Sequence, residues 1–205
     1  MVCYTGPRLR IIRRFGELPG LTRKVPTKPN PPGQHGQKKQ LRSSFSNYKI
    51  RLFEKQKLRY NYGLTERQLL RYVKEARRRK GSTGFLLLQL LEMRLDTIVF
   101  RLGLTPTIPS ARQFVNHGHL LINGKRVNIP SFICEPGDQI QIQSKKSATD
   151  FVKNNLLSPR FSSLPNHLEF DSVNLTANIK NLVDRKDLIF RVNELLIVEY
   201  YSRIG

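Results

Sequence analysis

Acidic side chains are scarce at the front of this 205-residue chain: residues 1–80 hold only Glu17, Glu54, Glu66 and Glu75, against 22 lysines and arginines. That stretch carries +18 of the formal net charge of +21, and the remainder is nearly balanced, with 14 basic and 11 acidic groups. A surface so poor in interleaved acids repels itself, and a large polyanion, nucleic acid above all, is its natural partner. Cysteine is scarce as well. Cys3 and Cys134 have no Cys or His at metal-ligand spacing, so neither a disulfide framework nor a zinc site is expected, and a reducing, intracellular compartment fits. His117 and His119 flank Gly118 at a turn and read as a surface pair. Long apolar runs are missing: the densest, Phe85 to Leu91, already contains Gln89 and runs into Glu92 and Arg94, far short of the roughly 18 residues of a membrane span. Met1 to Arg14 lacks the apolar centre of a signal peptide and, although Arg-rich, lacks the serines of a transit peptide, so the chain is expected to work where it is made. No paired carboxylates, Cys/His or Ser/His constellation, or phosphate-cradling glycine loop is recognisable, so no enzyme, cofactor or small-molecule substrate is expected.

What the sequence does contain is punctuation followed by periodicity. In residues 1–44, Pro7, Pro19, Gly20, Pro26, Pro29, Pro31, Pro32, Gly33 and Gly36 leave little room for regular structure and predict an extended basic arm. With Arg8, Arg10, Arg13, Arg14, Lys38 and Lys39, such an arm suits a phosphate backbone, and its charge and breakers predict that it is unordered when free. Three helices are expected next, each closed by a glycine: Asn47 to Tyr62, Thr65 to Lys80 and Thr83 to Leu102. The second opens with a capping box, Thr65-x-x-Gln68. It places Arg67, Arg71, Lys74 and Arg78 on one face and Leu69, Leu70, Val73 and Ala76 on the other, so one side packs and the other faces phosphates. The first is basic too, through Lys49, Arg51, Lys55, Lys57 and Arg59.

In the third helix Leu87, Leu91, Leu95, Ile98 and Leu102 form an apolar stripe, and Arg94 and Arg101, seven apart, share a face. After Pro106 and Pro109 a short helix is expected, with a second capping box at Ser110-x-x-Gln113, running through Arg112 to a stop at Gly118. Leu120 to Ile122, Asn123-Gly124 and Lys125 to Val127 then spell a hairpin with a type I′ turn. Pro136-Gly137-Asp138 turns the chain into Gln139-Ile140-Gln141-Ile142-Gln143, a strand of period two. The fold class is therefore α+β.

The tripeptide Arg94-Leu95-Asp96, then Ser110-Ala111-Arg112-Gln113, His117 through Val127 and Glu135 through Ile140 resemble, in order and spacing, the RNA-binding module named after ribosomal protein S4. Outside the module, Tyr4-x-Gly-Pro7-Arg8, Pro32-Gly33-Gln34-His35-Gly36, Glu54-Lys55-Gln56-Lys57, Tyr62-Gly63-x-x-Glu66-Arg67-Gln68, Lys80-Gly81-x-Thr83-Gly84 and Ile197-Val198-Glu199-x-Tyr201-Ser202 resemble the S4 family of small-subunit ribosomal proteins. The segment Leu18-Pro19-Gly20-Leu21-Thr22, with no N-terminal metal cysteines, is similar to the plastid-encoded type. The resemblance implies an arm over 1–44, a helical domain from 45–85 with 151–205, and an inserted module over 86–150, two helices packed on a small antiparallel sheet. It is weakest from about Lys153 to Phe190, where His167 stands in place of an expected large aromatic.

As function, the resemblance implies a structural component of the small ribosomal subunit that binds 16S-type rRNA early, at a multi-helix junction, and nucleates assembly of the subunit body. It also implies a place beside the messenger RNA path and contacts with ribosomal protein S5, tied to decoding accuracy, and with other small-subunit proteins. Chloroplast stroma is the implied location, with bacterial cytoplasm as the alternative. RNA contacts are expected from the arm cations, from Arg51, Lys55, Lys57, Arg67, Arg71, Lys74, Arg78 and Lys80, and in the module from Arg94, Arg101, Arg112, His117, Lys125 and Arg126. Duplex RNA hides its base edges, so these contacts should be to backbone and shape. Glu194, Glu199 and Tyr201, in an apolar and aromatic tail, are expected near a protein neighbour or in the domain's own core. Two other readings stay open: a free-standing RNA chaperone, and a pseudouridine synthase, whose catalytic tripeptide Arg94-Leu95-Asp96 also resembles. In the second case Asp96 would be catalytic; otherwise it makes a structural ion pair.

Overall fold

The structure is a computed structural model that describes residues 4–34, 36, 46–143, 146–156, 164–188 and 190–203. In chain order its elements are α1 (Arg8–Phe15), α2 (Asn47–Asn61), α3 (Glu66–Arg78), α4 (Thr83–Glu92), α5 (Leu95–Arg101), α6 (Ile108–Asn116), β1 (Leu120–Ile122), β2 (Lys125–Arg126), β3 (Gln139–Ile142), α7 (Lys146–Leu156), β4 (Leu168–Asp171), β5 (Thr176–Ile179) and α8 (Glu194–Ser202). The chain divides into two units, residues 1–87 with 190–205, and residues 88–189. No helix among the described residues is long and apolar enough to cross a membrane.

In the first unit α2 packs on α8, and the amphipathic α3 buries Leu69, Val73 and Ala76. The capping box forms as expected: the Gln68 amide donates to Thr65 Oγ1 and the Thr65 amide donates to Gln68 Oε1. Leu70, expected on the packed face, is instead exposed. The arm, expected to be extended, contains α1, because Ile11 and Ile12 lie on one face of that turn and are buried. The Phe15 ring packs at a tilt on Phe53, centroids 4.9 Å apart, Leu18 and Leu21 are buried, and the Gly20 amide donates to Asn61 Oδ1 at 3.0 Å. Apolar anchors spaced between the prolines thus tie the arm down. Lys38 and Lys39 lie outside the described residues.

The second unit carries a sheet of order β2-β1-β3-β5-β4, with every pair antiparallel, and α5 packs against α6. The hairpin is as expected, with Leu121 opposite Arg126 and Ile122 opposite Lys125, and positive φ at Asn123 (50°) and Gly124 (77°). Two expectations are corrected. The third helix is not continuous over 83–102: the Met93 carbonyl accepts from the Cys134 amide, Arg94 bridges to Ile133, and the Leu95 and Asp96 amides donate to Phe132 and Pro130 carbonyls, so the backbone breaks between α4 and α5. The cap of α6 is Thr107, whose Oγ1 accepts from the Ser110 amide, and Pro109 lies inside the first turn where a missing N–H costs nothing. Of the segment expected with the helical domain, the described residues 151–156 and 164–188 belong to this unit instead. Ile140 of β3 pairs with Ala177 of β5, which extends the module's sheet by two strands.

Burial shifts the proton affinity of two groups in this unit, Cys134 and His167. Burial pushes the Cys134 thiol up to about 12, which keeps it protonated and unreactive. His167 is 3% exposed and neither ring nitrogen has a hydrogen-bond partner among the described residues. Burial pulls its proton affinity below the ordinary 6.5, against the opposing pull of Glu92 and Asp187. An unfolded chain therefore takes up a proton on this ring before the folded one does. Stability is complete above about pH 6.5 and is lost as the pH falls toward the folded-state value. Urea unfolding of the wild type should show decreasing stability from pH 7.5 to 5.5, and His167→Phe should flatten that dependence; an unchanged slope in the variant would refute the assignment.

Candidate nucleic-acid interface

Helix α3 carries the clearest cationic surface in the first unit. Arg67, Arg71, Lys74 and Arg78 are all exposed, on the side opposite Leu69, Val73 and Ala76. Glu75 pairs with Arg78 at 2.7 Å and Arg79 at 3.1 Å, and the Arg79 hydrogen bond holds its carboxyl below the usual range. One acid thus serves two of the arginines that crowd the end of the helix, where Lys80 is also exposed. Arg77 and Arg79, not singled out from sequence, are exposed as well. They were missed because a period-based reading follows one face, whereas Arg77 to Lys80 place consecutive cations at the end of α3. On α1, Arg8, Arg10 and Arg14 are exposed around the anchoring isoleucines. Arg13 turns inward: its Nε donates to the Asn30 carbonyl at 2.8 Å and its Nη2 to that of Pro31 at 3.4 Å, which fixes the following turn of the arm.

Helix α2 corrects two expected phosphate donors. Arg51 is buried and ion-paired with Glu199 of α8, which holds the Glu199 carboxyl low. Lys55 is 4% exposed, donates to Glu66 at 2.9 Å and lies 4.7 Å from the Tyr200 ring. A desolvated cation needs such partners, and these two knit α2 to α3 and α8. Lys57 is half-buried over the Phe190 ring.

The tail residues expected at a protein interface serve the same packing. The Tyr201 hydroxyl donates to Glu66 at 2.7 Å, and burial pushes its proton affinity up. Glu194 is buried with its carbon chain against Gly84, where a Cβ would lie 2.7 Å from Glu194 Cγ. Of the three, only Glu199 keeps substantial exposure, and it also meets Arg203 at 3.6 Å. Core membership, one of the two readings weighed, describes Glu194 and Tyr201.

In the second unit Arg94, Arg101 and Arg112, expected on phosphates, are buried in ion pairs. Asp96, fully buried, accepts from Arg94 Nε and Nη2 at 3.0 and 2.8 Å and from Arg112 Nε at 2.8 Å. Arg101 makes a two-pronged pair with Glu92, at 2.8 and 2.5 Å. These pairs hold α4, α5 and α6 in register, and the structural reading of Asp96 is the one its geometry supports. Three of the residues expected on RNA lie together where α6 meets the hairpin; Lys153, Lys180, Arg185 and Lys186 of this unit are exposed elsewhere. His117, Lys125 and Arg126 are exposed, and the Arg126 guanidinium lies over Gly118 with Nη2 donating to the His117 carbonyl at 3.3 Å. Among the described residues no group of His, Cys, Asp and Glu could hold a metal ion.

Two family models match this chain. Residues 3–92 match the family described as the ribosomal protein S4/S9 N-terminal domain, and residues 93–140 match the S4 domain. The chain is 59% identical over 203 residues to the small ribosomal subunit protein uS4 of Thermosynechococcus vestitus, covering 99% of both chains. It is 60% identical over 201 residues to the small ribosomal subunit protein uS4c of Cyanophora paradoxa, covering 98% of both, and 59% identical over 200 residues to uS4 of a Nostoc species, again covering 98% of both. The chain belongs to the uS4 family of small-subunit ribosomal proteins, structural components of the ribosome and not enzymes.

Proposed function

We propose that this chain binds 16S-type rRNA directly and early, at a multi-helix junction, and that this binding nucleates assembly of the small-subunit body. The observation that carries the reading is the exposed face of α3, where Arg67, Arg71, Lys74 and Arg78 stand opposite a packed apolar face. Exposed cations on a rigid helix can contact the phosphate backbone of folded RNA and need no base readout. Arg8, Arg10, Arg14, Lys80, His117, Lys125 and Arg126 extend the same chemistry. Contact with ribosomal protein S5 and a place beside the messenger path complete the reading; for the former, α8 offers exposed Leu195 and the carboxylate of Glu199. We assign the plastid as the compartment, on the Leu18 to Thr22 segment and the likeness to the uS4c relative.

Sedimentation tests this against a transient chaperone. In a gradient of plastid lysate the protein should travel with the small subunit, because many contacts made together rarely open together. Release at moderate salt, or absence from plastid particles, would contradict the reading.

A further inference from the structure

Gly118 is the residue on which Arg126 rests. A Cβ built at position 118 would lie 2.2 Å from Arg126 Nε, 2.3 Å from Nη2 and 2.5 Å from Cζ, so the guanidinium lies flat across a backbone that no other residue would leave bare. Gly118 follows the C-cap of α6, with φ +68°, and its amide donates to Val115. The carbonyl just before it, that of His117, is one of those left without a partner inside the helix, and Arg126 Nη2 donates to it at 3.3 Å. A cation is favoured at that helix end by the carbonyl dipoles. One of five guanidinium donors is used in this contact, and the side chain stays exposed on β2. An arginine held this way has lost much of its rotamer freedom before any ligand arrives.

We infer that Gly118 is a positioning residue for RNA binding: it makes a shelf that pre-orients Arg126, beside Lys125 and His117, for an RNA phosphate. The inference rests on the rRNA-binding reading above. A side chain at 118 displaces the guanidinium, so the protein keeps its charge and loses the geometry.

The test is a double-mutant cycle on the full chain, with purified small-subunit rRNA as the probe and filter binding at several salt concentrations. Gly118→Ala and Arg126→Ala should each weaken binding about 10-fold and each lower the log–log salt slope by about 0.7–0.9, the value of one phosphate contact. The double variant should bind no worse than Arg126→Ala alone, since the glycine acts only through that arginine. Gly118→Asn serves as the second variant, because asparagine tolerates the left-handed backbone while still carrying a Cβ; it should show the same loss with a thermal transition close to wild type. Costs that multiply to about 100-fold in the double variant, or wild-type binding by Gly118→Asn, would overturn the inference and leave the rRNA reading intact. Weak, salt-insensitive binding by the wild type would instead overturn that underlying reading.

Discussion

Asp96→Ala is expected to cost the second unit about 3–5 kcal/mol, a large share of the roughly 5–15 kcal/mol that holds an ordinary domain folded. Asp96 is the shared acceptor of three guanidinium hydrogen bonds, from Arg94 and Arg112, and all three side chains are buried. Removing the carboxylate leaves two desolvated positive charges facing each other without their common counter-ion, and truncating one partner of a buried pair costs far more than the pair contributes net. Asp96→Asn should also be severely destabilising, because its amide nitrogen places a donor against donors. Urea unfolding followed by circular dichroism, with hydrogen exchange at α5 and α6, measures the effect. A loss below about 1 kcal/mol would refute it. The outcome also separates structure from catalysis: a catalytic aspartate could be replaced with asparagine and leave a stable fold.

The second large effect concerns binding. Changing Arg67, Arg71, Lys74 and Arg78 together to glutamine should weaken rRNA binding about 10²–10³-fold near 100 mM salt, at about 1 kcal/mol per exposed charge-assisted contact. The salt slope should fall by about 3, four contacts at roughly 0.7–0.9 each. All four side chains are exposed and glutamine is a good helix former, so stability should stay within about 0.5 kcal/mol of wild type. Filter binding and a thermal melt on the same preparations check both halves. Unchanged binding with an unchanged melt would remove α3 from the interface.

Particular residues show why part of this was legible in the sequence and part was not. The α3 stripe could be read directly, since a 3.6-residue period, a capping box and a scarcity of acids all act within one helix. The Asn123-Gly124 turn was legible for the same local reason. Arg101 and Glu92 were not: nine residues apart on a continuous helix they would stand about half a turn out of phase and ~13.5 Å apart. They meet only because residues 130–134 take the backbone groups of Met93 to Asp96 and break the helix, with no glycine or proline there to announce it. Arg94 and Asp96, two apart, do not face each other on a helix either; the extended backbone of Arg94 at the N-cap of α5 turns them together. Arg51 and Lys55 were read as phosphate donors because their acids lie far away in the chain, Glu199 on the last helix and Glu66 on the next one. Charge counted along a sequence identifies the polyanion partner, but which cations reach it depends on long-range pairing. His167 shows the same limit: its residue type was visible, and its burial without hydrogen-bond partners was not.

The most direct measurement is the affinity of the intact protein for small-subunit rRNA across a salt series. With roughly 6 to 10 phosphate contacts, binding should weaken about 10³ to 10⁵-fold between ~50 and ~200 mM salt. A response that stays flat over that range would mean that the exposed cations of α1, α3 and the hairpin do not hold RNA.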